Sequence, residues 1–287
     1  MLIPVKELLE ESQKEKYAVP QFNIGCFEVF RAVVETAGKL RSPIILGTSE
    51  KEMHFLHPLM VVRWAEWATK EFDIPIGLHL DHAQSLKVCL ESLAAGYTSV
   101  HIDGSTLPFD ENVALTISVA RAAHGIGASC EGEIGGIKGS SEIHKENYEE
   151  IEKNIEFTDP VIAQKFVEET GVDSLAIAIG NVHGIYKTPP KLNFDLLKGI
   201  KEKVNLPLVL HGGSGILESD IKKAISFGIC KVNVNTELRF AYRQGWEKVL
   251  QKNPSEVKPY NLMPKVIKEI EKIVEAKINL FGSAYKV

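Results

Sequence analysis

Three histidines each follow a short apolar run and stand just before a turn. They are His82 in Leu-Asp-His-Ala, His183 in Asn-Val-His-Gly and His211 in Leu-Val-Leu-His-Gly-Gly. Three imidazoles that meet at one end of a sheet form a zinc site with an open coordination position. Asp81 directly precedes His82, which would place a titratable carboxylate beside that metal. The combination predicts metal-assisted acid–base chemistry.

Two further carboxylates end apolar or mixed runs. Asp103 closes His-Ile-Asp, and Glu133 closes Cys-Glu-Gly-Glu with Glu131 on the same strand face. They would bind a second metal, polarise a metal-binding histidine, or pair with each other through water, and the sequence leaves these options open. His79 shares the face of Asp81 and would support the site or simply pack. The other histidines are expected to be structural or surface residues: His54, His57, His101, His124 and His144.

Two segments have the composition of anion sites. One is His211-Gly212-Gly213-Ser214-Gly215, and the other is Val232-Asn233-Val234-Asn235-Thr236. Glycine lets the backbone approach an anion closely, and exposed amides at a helix start bind phosphate. Ordinary turn geometry also explains the glycines, but the two loops follow the last two predicted strands, where barrel phosphate sites are often built.

The elements that must position these residues alternate along the chain. Eight short apolar runs read as strands: 18–22, 43–48, 75–80, 97–102, 127–133, 173–179, 206–210 and 230–234. Amphipathic helix patterns include 28–41, 85–95, 218–227 and 264–279, and Gly96 and Gly228 are the expected helix ends. Eight strand–helix units in about 250 residues predict a TIM (β/α)8 barrel of the α/β class, with a doubly wound open sheet as the competitor.

Two local features carry further expectations. Residues 135–158 form the one long irregular stretch, rich in glycine at its start, and are a candidate active-site lid. Asp81 and His82 are neighbours in the third strand, so regular alternation would send them to opposite faces. The strand must therefore bend at its end if both side chains serve one site. Ser85 suits the helix N-cap better than Asp81 does.

Composition bounds the class of protein. The 287 residues fit a single barrel domain spanning 1–287, and 44% hydrophobic with 25% charged residues are typical of a globular enzyme. A net charge of −5 argues against a nucleic-acid partner. Four scattered cysteines indicate reduced thiols. Neither a signal peptide nor a membrane span is expected, so the predicted location is the cytoplasm.

Taken together, these motifs resemble one family. Leu80-Asp81-His82-Ala83, His183-Gly184, His211-Gly212-Gly213-Ser214 and Asn233-Val234-Asn235-Thr236-Glu237 are similar to the motifs of the class II, zinc-dependent ketose-bisphosphate aldolases. The resemblance extends from Val19-Pro20-Gln21-Phe22-Asn23 to Asn279-Leu280-Phe281-Gly282-Ser283 and so covers essentially the whole chain.

The resemblance implies a role for each matching position. Asp81 matches the proton donor that acts on the C4 oxygen, and Ser49 matches a contact on the glyceraldehyde 3-phosphate side. Asp103 and Glu133 match the second, non-catalytic zinc position. The catalytic zinc ligands are matched by His82, His183 and His211. The family's residues that bind the dihydroxyacetone phosphate half of the substrate are matched by Gly184, Gly212, Gly213, Ser214, Asn233, Val234, Asn235 and Thr236.

The chain departs from the family pattern in two places. The family's lid usually reads Gly-Gly-Gln-Glu-Asp, and its Glu exchanges a proton on the dihydroxyacetone phosphate carbon. Here Ser141 takes that position, and Glu142 stands one residue later. Fructose-bisphosphate members also often carry a C-terminal Asp-Pro-Arg whose Arg reaches the distal phosphate. In the corresponding region of this chain Lys258 is the nearest cation, and a lysine lacks the bidentate fork.

The resulting expectation is a class II aldolase of glycolysis and gluconeogenesis that uses Zn²⁺ to cleave fructose 1,6-bisphosphate. Its products would be dihydroxyacetone phosphate and glyceraldehyde 3-phosphate. The alternatives are tagatose 1,6-bisphosphate or another phosphorylated ketose, and a non-catalytic zinc-binding barrel subunit. A metal-dependent hydrolase is a weaker reading. The resemblance also implies a homodimer or a homotetramer.

Overall fold

Eight parallel strands close into a barrel in the computed structural model, which describes residues 2–287. The strands of that range are β1 (Val19–Asn23), β2 (Ile44–Ser49), β3 (Ile76–Ala83), β4 (Ser99–Ile102), β5 (Ser129–Ile134), β6 (Gly139–Ile143), β7 (Ser174–Ile177), β8 (His183–Ile185), β9 (Leu208–Leu210) and β10 (Ile229–Val234). Around the barrel the order is β1-β10-β9-β7-β5-β4-β3-β2. All eight predicted strands are present, so the barrel prediction is confirmed and the open-sheet alternative is wrong.

Helices cover the outside of the barrel. They are α1 (Val5–Glu15), α2 (Phe27–Lys39), α3 (Glu50–Leu56), α4 (Pro58–Phe72), α5 (Leu86–Ala95), α6 (Phe109–Gly125), α7 (Tyr148–Glu152), α8 (Pro160–Thr170), α9 (Phe194–Lys203), α10 (Glu218–Ser226), α11 (Thr236–Lys252) and α12 (Pro259–Phe281). In residues 2–287, none of these combines the length and the apolar composition that crossing a lipid bilayer requires.

The apolar core is divided between the outer face of the barrel and its amino-terminal end. A large buried cluster lies between the strands and the surrounding helices. A smaller cluster joins Leu8 and Leu9 of α1 to Val19, Ile45 and other strand residues. Helix α1 therefore closes the amino-terminal end of the barrel. The carboxyl end is left for polar side chains, which is where barrel enzymes build their sites.

The largest differences from the predicted element boundaries are in β3 and the last helix. Strand β3 continues to Ala83, three residues beyond its predicted end. The last helix is longer than the predicted 264–279, because Pro259 occupies its first helical position and Pro264 lies in its second turn. Prolines this near a helix start remove few backbone hydrogen bonds. Gly96 is a left-handed C-cap as expected, whereas α10 ends with Phe227 as C-cap and Gly228 comes one residue later.

The predicted irregular lid is in part regular. Residues 135–158 contain β6 and α7, and β6 pairs in parallel with β8, with Gly139 opposite His183. The Tyr148 hydroxyl of α7 donates to the carbonyl oxygen of Gly180 over 2.9 Å. This order comes from pairing with a loop some forty residues away, a long-range contact that local periodicity does not reveal. The segment nevertheless lies over the carboxyl end of the barrel.

Candidate active site

Strand β3 brings Asp81 and His82 into one site by breaking its own alternation. The pairing register with β4 shifts between Leu80 and Ala83, and His82 has a φ of 53°. A left-handed conformation is unusual for a non-glycine residue and is commonly found at functional sites. The bend that the sequence required is therefore present, and both side chains reach the carboxyl end of the barrel.

The three predicted histidines lie together. The ring of His82 is 4.4 Å from that of His211 and 5.0 Å from that of His183, centroid to centroid, and the His183 and His211 rings are 6.2 Å apart. The closest nitrogens are Nε2 of His82 and Nδ1 of His211, at 2.7 Å. The barrel topology thus brings together His82 and His211, which are 129 positions apart in sequence.

Carboxylates hold two of these rings from behind. Nδ1 of His82 lies 2.9 Å from Oδ2 of Asp103, and Nε2 of His211 lies 2.7 Å from Oε1 of Glu131. A carboxylate on one ring nitrogen fixes the tautomer and the orientation of the ring, and it raises the basicity of the other nitrogen. Because the two remaining nitrogens face each other, the arrangement suits a shared metal ligand set.

Glu131 is itself held by a buried cation. Nζ of Lys231 donates to Oε2 of Glu131 over 2.7 Å, and neither side chain is more than 1% exposed. Burial disfavours the ionised carboxyl, but Lys231, His79 and His101 together outweigh burial and lower the pKa of Glu131. Lys231 lies two residues before Asn233 on β10, so strand alternation was the signal that could have found it.

Replacing Lys231 with methionine is expected to lower the free energy of unfolding by about 3–5 kcal/mol. The change leaves the Glu131 carboxylate buried without its cation. The double variant Lys231→Met/Glu131→Gln removes both charges and is expected to recover much of that loss. Urea denaturation of the single and double variants measures the coupling. Strictly additive effects of the two substitutions would contradict a coupled pair.

Asp81 is held by two amides. Nδ2 of Asn23 donates to its Oδ2 and Nδ2 of Asn233 donates to its Oδ1, each over 3.0 Å. Burial alone would raise the pKa of Asp81, but the charges of His82, His211 and nearby Lys231 outweigh burial and hold it well below its usual range. Asp81 is therefore an ionised, oriented carboxylate. The sequence interpretation missed Asn23, whose signal was its place as the last residue of β1.

The surrounding charges give the histidines of the site different pKa values. Burial lowers the pKa of His82, but the carboxylates of Asp81, Asp103 and Glu133 outweigh it and raise the pKa to about 9. For His183, burial and the nearby charge of His82 outweigh the carboxylates of Asp81 and Asp103 and lower the pKa to about 4. Metals bind neutral imidazole, so metal binding at His82 would release a proton.

Two compact groups of side chains could hold a metal ion. In one, ligand atoms of Asp81, His82, His101 and His211 all lie within 4.8 Å of one another; in the other, those of His82, Asp103 and Glu133 do. His183 falls in neither group, so its role as a ligand stays a prediction. His101, interpreted as structural, is fully buried in the site; it lies two residues before Asp103, and that alternation was its signal.

Glu133 belongs to the second group and is fully buried there. Burial and then the negative charge of Asp103 raise the pKa of Glu133 to about 8. Its Oε2 lies 3.9 Å from Nδ1 of His82 and 3.5 Å from Nε2 of His101, and it has no hydrogen-bond partner among residues 2–287. An unpartnered buried carboxylate oxygen of this kind fits a cation, as the second-metal prediction requires.

A small cavity opens beside Asp81 and His82. Most of the predicted substrate residues line it: Gly184, Gly212, Ser214, Asn233, Asn235 and Thr236. Asn23, His183 and Ser141 of β6 also line it. Gly213 and Val234 are outside this lining. The Gly213 N–H donates to the Asn233 carbonyl oxygen over 3.1 Å, and the Val234 side chain is buried in the core. The backbone of both is thus structural in this state.

Gly212 is required by the turn that ends β9. Its φ is 63°, and an added Cβ would lie 2.1 Å from the carbonyl oxygen of Val182. We expect Gly212→Ala to lower the free energy of unfolding by about 2–4 kcal/mol, because strain and a backbone clash add. Gly199→Ala is the control: its Cβ would meet only Pro160, at 3.6 Å, inside α9. That change should be neutral or slightly stabilising in urea denaturation; equal effects of both would refute the argument.

Three further predicted residues lie outside this lining. Ser49 caps α3, and its hydroxyl donates to Oε2 of Glu52 over 2.9 Å. Glu142 is exposed on β6, whereas Ser141 faces the cavity. Lys258 is exposed at the N-cap of α12, and its backbone N–H donates to Glu256. The structure therefore gives Lys258 no place beside the substrate cavity.

Comparison with known proteins decides the family. The model of the class II fructose-bisphosphate aldolases matches residues 3–286. The chain belongs to this family. It is 40% identical over 281 residues to the D-tagatose-1,6-bisphosphate aldolase subunit GatY of Klebsiella oxytoca, which covers 98% of each chain. It is 38% identical over 286 residues to the fructose-bisphosphate aldolase of Staphylococcus aureus strain Mu50, which covers 99% of this chain and 98% of that one.

Solved structures of aldolases have the same fold. The YdjI aldolase of Escherichia coli K12 superposes with a TM-score of 0.86 at 32% identity, covering 100% of this chain and 99% of that one. A putative fructose-1,6-bisphosphate aldolase of Coccidioides immitis gives 0.85 at 28% identity, covering 98% and 96%. Class II aldolases are lyases that act on ketose bisphosphates, and dependence on zinc is typical of them. The predicted family is confirmed.

Proposed function

We propose that this class II aldolase reversibly cleaves fructose 1,6-bisphosphate to dihydroxyacetone phosphate and glyceraldehyde 3-phosphate. One observation carries the proposal: the ionised Asp81 carboxylate, held by two asparagine amides, stands beside the facing nitrogens of His82 and His211. A general acid–base next to a metal-ligand set is what reversible cleavage of a C–C bond beside a ketone needs. A glycine-lined cavity adjoins them.

The metal would be held by His82, His183 and His211, with Asp103 and Glu133 as the second position. The donors fit zinc because two rings turn one nitrogen to a carboxylate and the other to the shared point. When bound, zinc supplies a Lewis acid that stabilises the negative charge developing on the ketone oxygen. Glu131 keeps the ring of His211 oriented toward that point.

Asp81 would move the proton at C4. In the cleavage direction its carboxylate accepts the C4 hydroxyl proton while the C3–C4 bond breaks and its electron pair stays with C3. In the condensation direction Asp81 returns that proton to the C4 oxygen. Asn23 and Asn233 hold both carboxylate oxygens, so the group meets the substrate in one orientation. The proton exchange at C3 falls to a group near the lid, where Ser141 faces the cavity.

The dihydroxyacetone phosphate end would lie against the loops after β8, β9 and β10. Gly184 and Gly212 leave the backbone open there, and Asn235 is the N-cap of α11, which begins at Thr236. The free amides of a helix start together with its dipole favour a phosphate. Ser214 adds a hydroxyl to the same wall. An anchored phosphate sets the distance from the ketone to Asp81.

The choice between C4 epimers is the part that needs measurement. Relatives at 40% and 38% identity are named for tagatose and for fructose bisphosphate, respectively. The test is a coupled assay of kcat/KM on both epimers with metal content measured on the same sample. Preference for tagatose 1,6-bisphosphate would reassign the substrate. Absence of triose phosphate from either would favour the non-catalytic barrel. A homodimer or homotetramer remains a prediction of the family resemblance, and a cytoplasmic location remains a prediction from the sequence.

A further inference from the structure

A second cleft adjoins the active-site cavity. The two share Asn23 and Asn235 as walls. Leu238 and Tyr242 of α11 form its apolar side, and Phe55 stands exposed at its rim. Asn23 also holds Asp81, so this distal cleft begins beside the group that is proposed to act at C4.

One arginine stands in the distal cleft. Arg239 lies on the first turn of α11, and its Nη2 donates to Oε1 of Glu52 over 2.7 Å. The other oxygen of Glu52 accepts from Nδ2 of Asn23 over 3.3 Å, and the same amide nitrogen donates to Asp81 over 3.0 Å. Three hydrogen bonds thus connect the catalytic carboxylate to the guanidinium. These contacts fix the position of Arg239 relative to Asp81.

The guanidinium retains free donors. It carries five N–H groups, and within residues 2–287 only Nη2 has a partner, Glu52. The Arg239 side chain is 49% exposed, whereas that of Glu52 is 11% exposed. Glu52 therefore orients the Arg239 guanidinium from its buried side and leaves the remaining N–H donors of the guanidinium facing the cleft. The apolar wall beside it weakens competition from water for a bound anion.

We infer that Arg239 binds the anionic group at the aldehyde end of the substrate, which for a ketose bisphosphate is the C6 phosphate. The inference rests on the proposed function. A planar fork matches phosphate bidentately, and this one replaces the arginine missing from the C-terminal segment. Lys258, the cation that the sequence suggested, is exposed at the N-cap of α12 and lines neither cavity.

The test compares substrates with and without the distal phosphate. We expect Arg239→Met to lower kcat/KM for fructose 1,6-bisphosphate by about 10- to 100-fold, the range for hydrogen bonds to a charged group. The value for fructose 1-phosphate should stay within about two-fold, because that substrate never meets the arginine. Arg239→Lys should restore part of the loss through its charge alone.

Two controls isolate the effect. Arg243→Met removes an arginine one turn further along α11 that pairs with Glu247 and is 78% exposed; it should change neither value. Lys258→Met tests the competing cation. If cleavage of the monophosphate is slow, the condensation reaction measures the same effect of the distal phosphate. In that direction kcat/KM is compared for glyceraldehyde 3-phosphate and for glyceraldehyde as the acceptor.

The outcomes separate this inference from the proposed function. Equal losses on both substrates in Arg239→Met, or a selective loss in Lys258→Met instead, would overturn the role of Arg239. A wild-type enzyme that cleaves bisphosphate and monophosphate equally well would also overturn it while leaving the aldolase function intact. A wild-type enzyme that cleaves no ketose phosphate would refute both.

Discussion

Asp81→Ala is expected to lower kcat for bisphosphate cleavage by about 10²- to 10⁴-fold, the range for loss of a general acid–base. The carboxylate is the one oriented, ionised group placed to take the C4 proton in the proposed mechanism, because burial and two amides hold it beside His82 and His211. The metal content should stay at the wild-type level, since the proposed ligands are the histidines. Steady-state kinetics and metal analysis on one sample check both parts.

The control for Asp81 is an exposed aspartate. Asp195→Ala, at a side chain that is 98% exposed, should leave kcat and stability near the wild-type values. Full activity in Asp81→Ala would contradict the assignment of Asp81 as the proton-transfer residue. Loss of metal together with activity would show instead that the carboxylate contributes to the metal site, to which one of the two compact ligand groups also assigns it.

Removing the metal is expected to reduce cleavage by about 10³-fold or more, because a Lewis acid at the ketone contributes several kcal/mol to the barrier. Treatment with EDTA followed by the coupled assay measures the loss, and added zinc should restore the activity. Borohydride in the presence of substrate should leave the enzyme unharmed, because the proposed mechanism forms no Schiff base.

The lysine inside the barrel makes the borohydride experiment a direct test of whether a Schiff base forms. Lys231 is fully buried and its ammonium is bound to Glu131 at 2.7 Å, so it is a charged structural group and not a free amine. Inactivation by borohydride with substrate would mean that a lysine forms an imine and would refute the metal mechanism. Activity that survives complete metal removal would contradict it independently.

Several features of this protein were readable from the sequence because they depend on local patterns. Short apolar runs and amphipathic segments have periods of 2 and 3.6 residues, so eight strands and the barrel followed from counting them. The positions of Asp81, His82 and His211 at strand ends followed from the same pattern. Glycine after histidine also marked the turn where Gly212 adopts a positive φ.

Other features depended on which strands the fold makes neighbours. Asn23 and Asn233 both hold Asp81, yet they lie 58 and 152 residues away from it in sequence. The pairing of β6 with β8 turned a predicted irregular lid into an ordered one. The sequence interpretation placed the distal cation at Lys258, whereas the structure leaves that residue at the surface and brings Arg239 to the cleft.

The division has one physical cause. Strand and helix patterns arise from the geometry of consecutive residues, so the barrel, its order of elements and the residue types at its carboxyl end can be predicted from the chain alone. Hydrogen bonds and ion pairs form wherever atoms meet in space, so the folded structure is needed to show that Lys231 pairs with Glu131, that Glu131 orients His211, and that Glu52 orients Arg239.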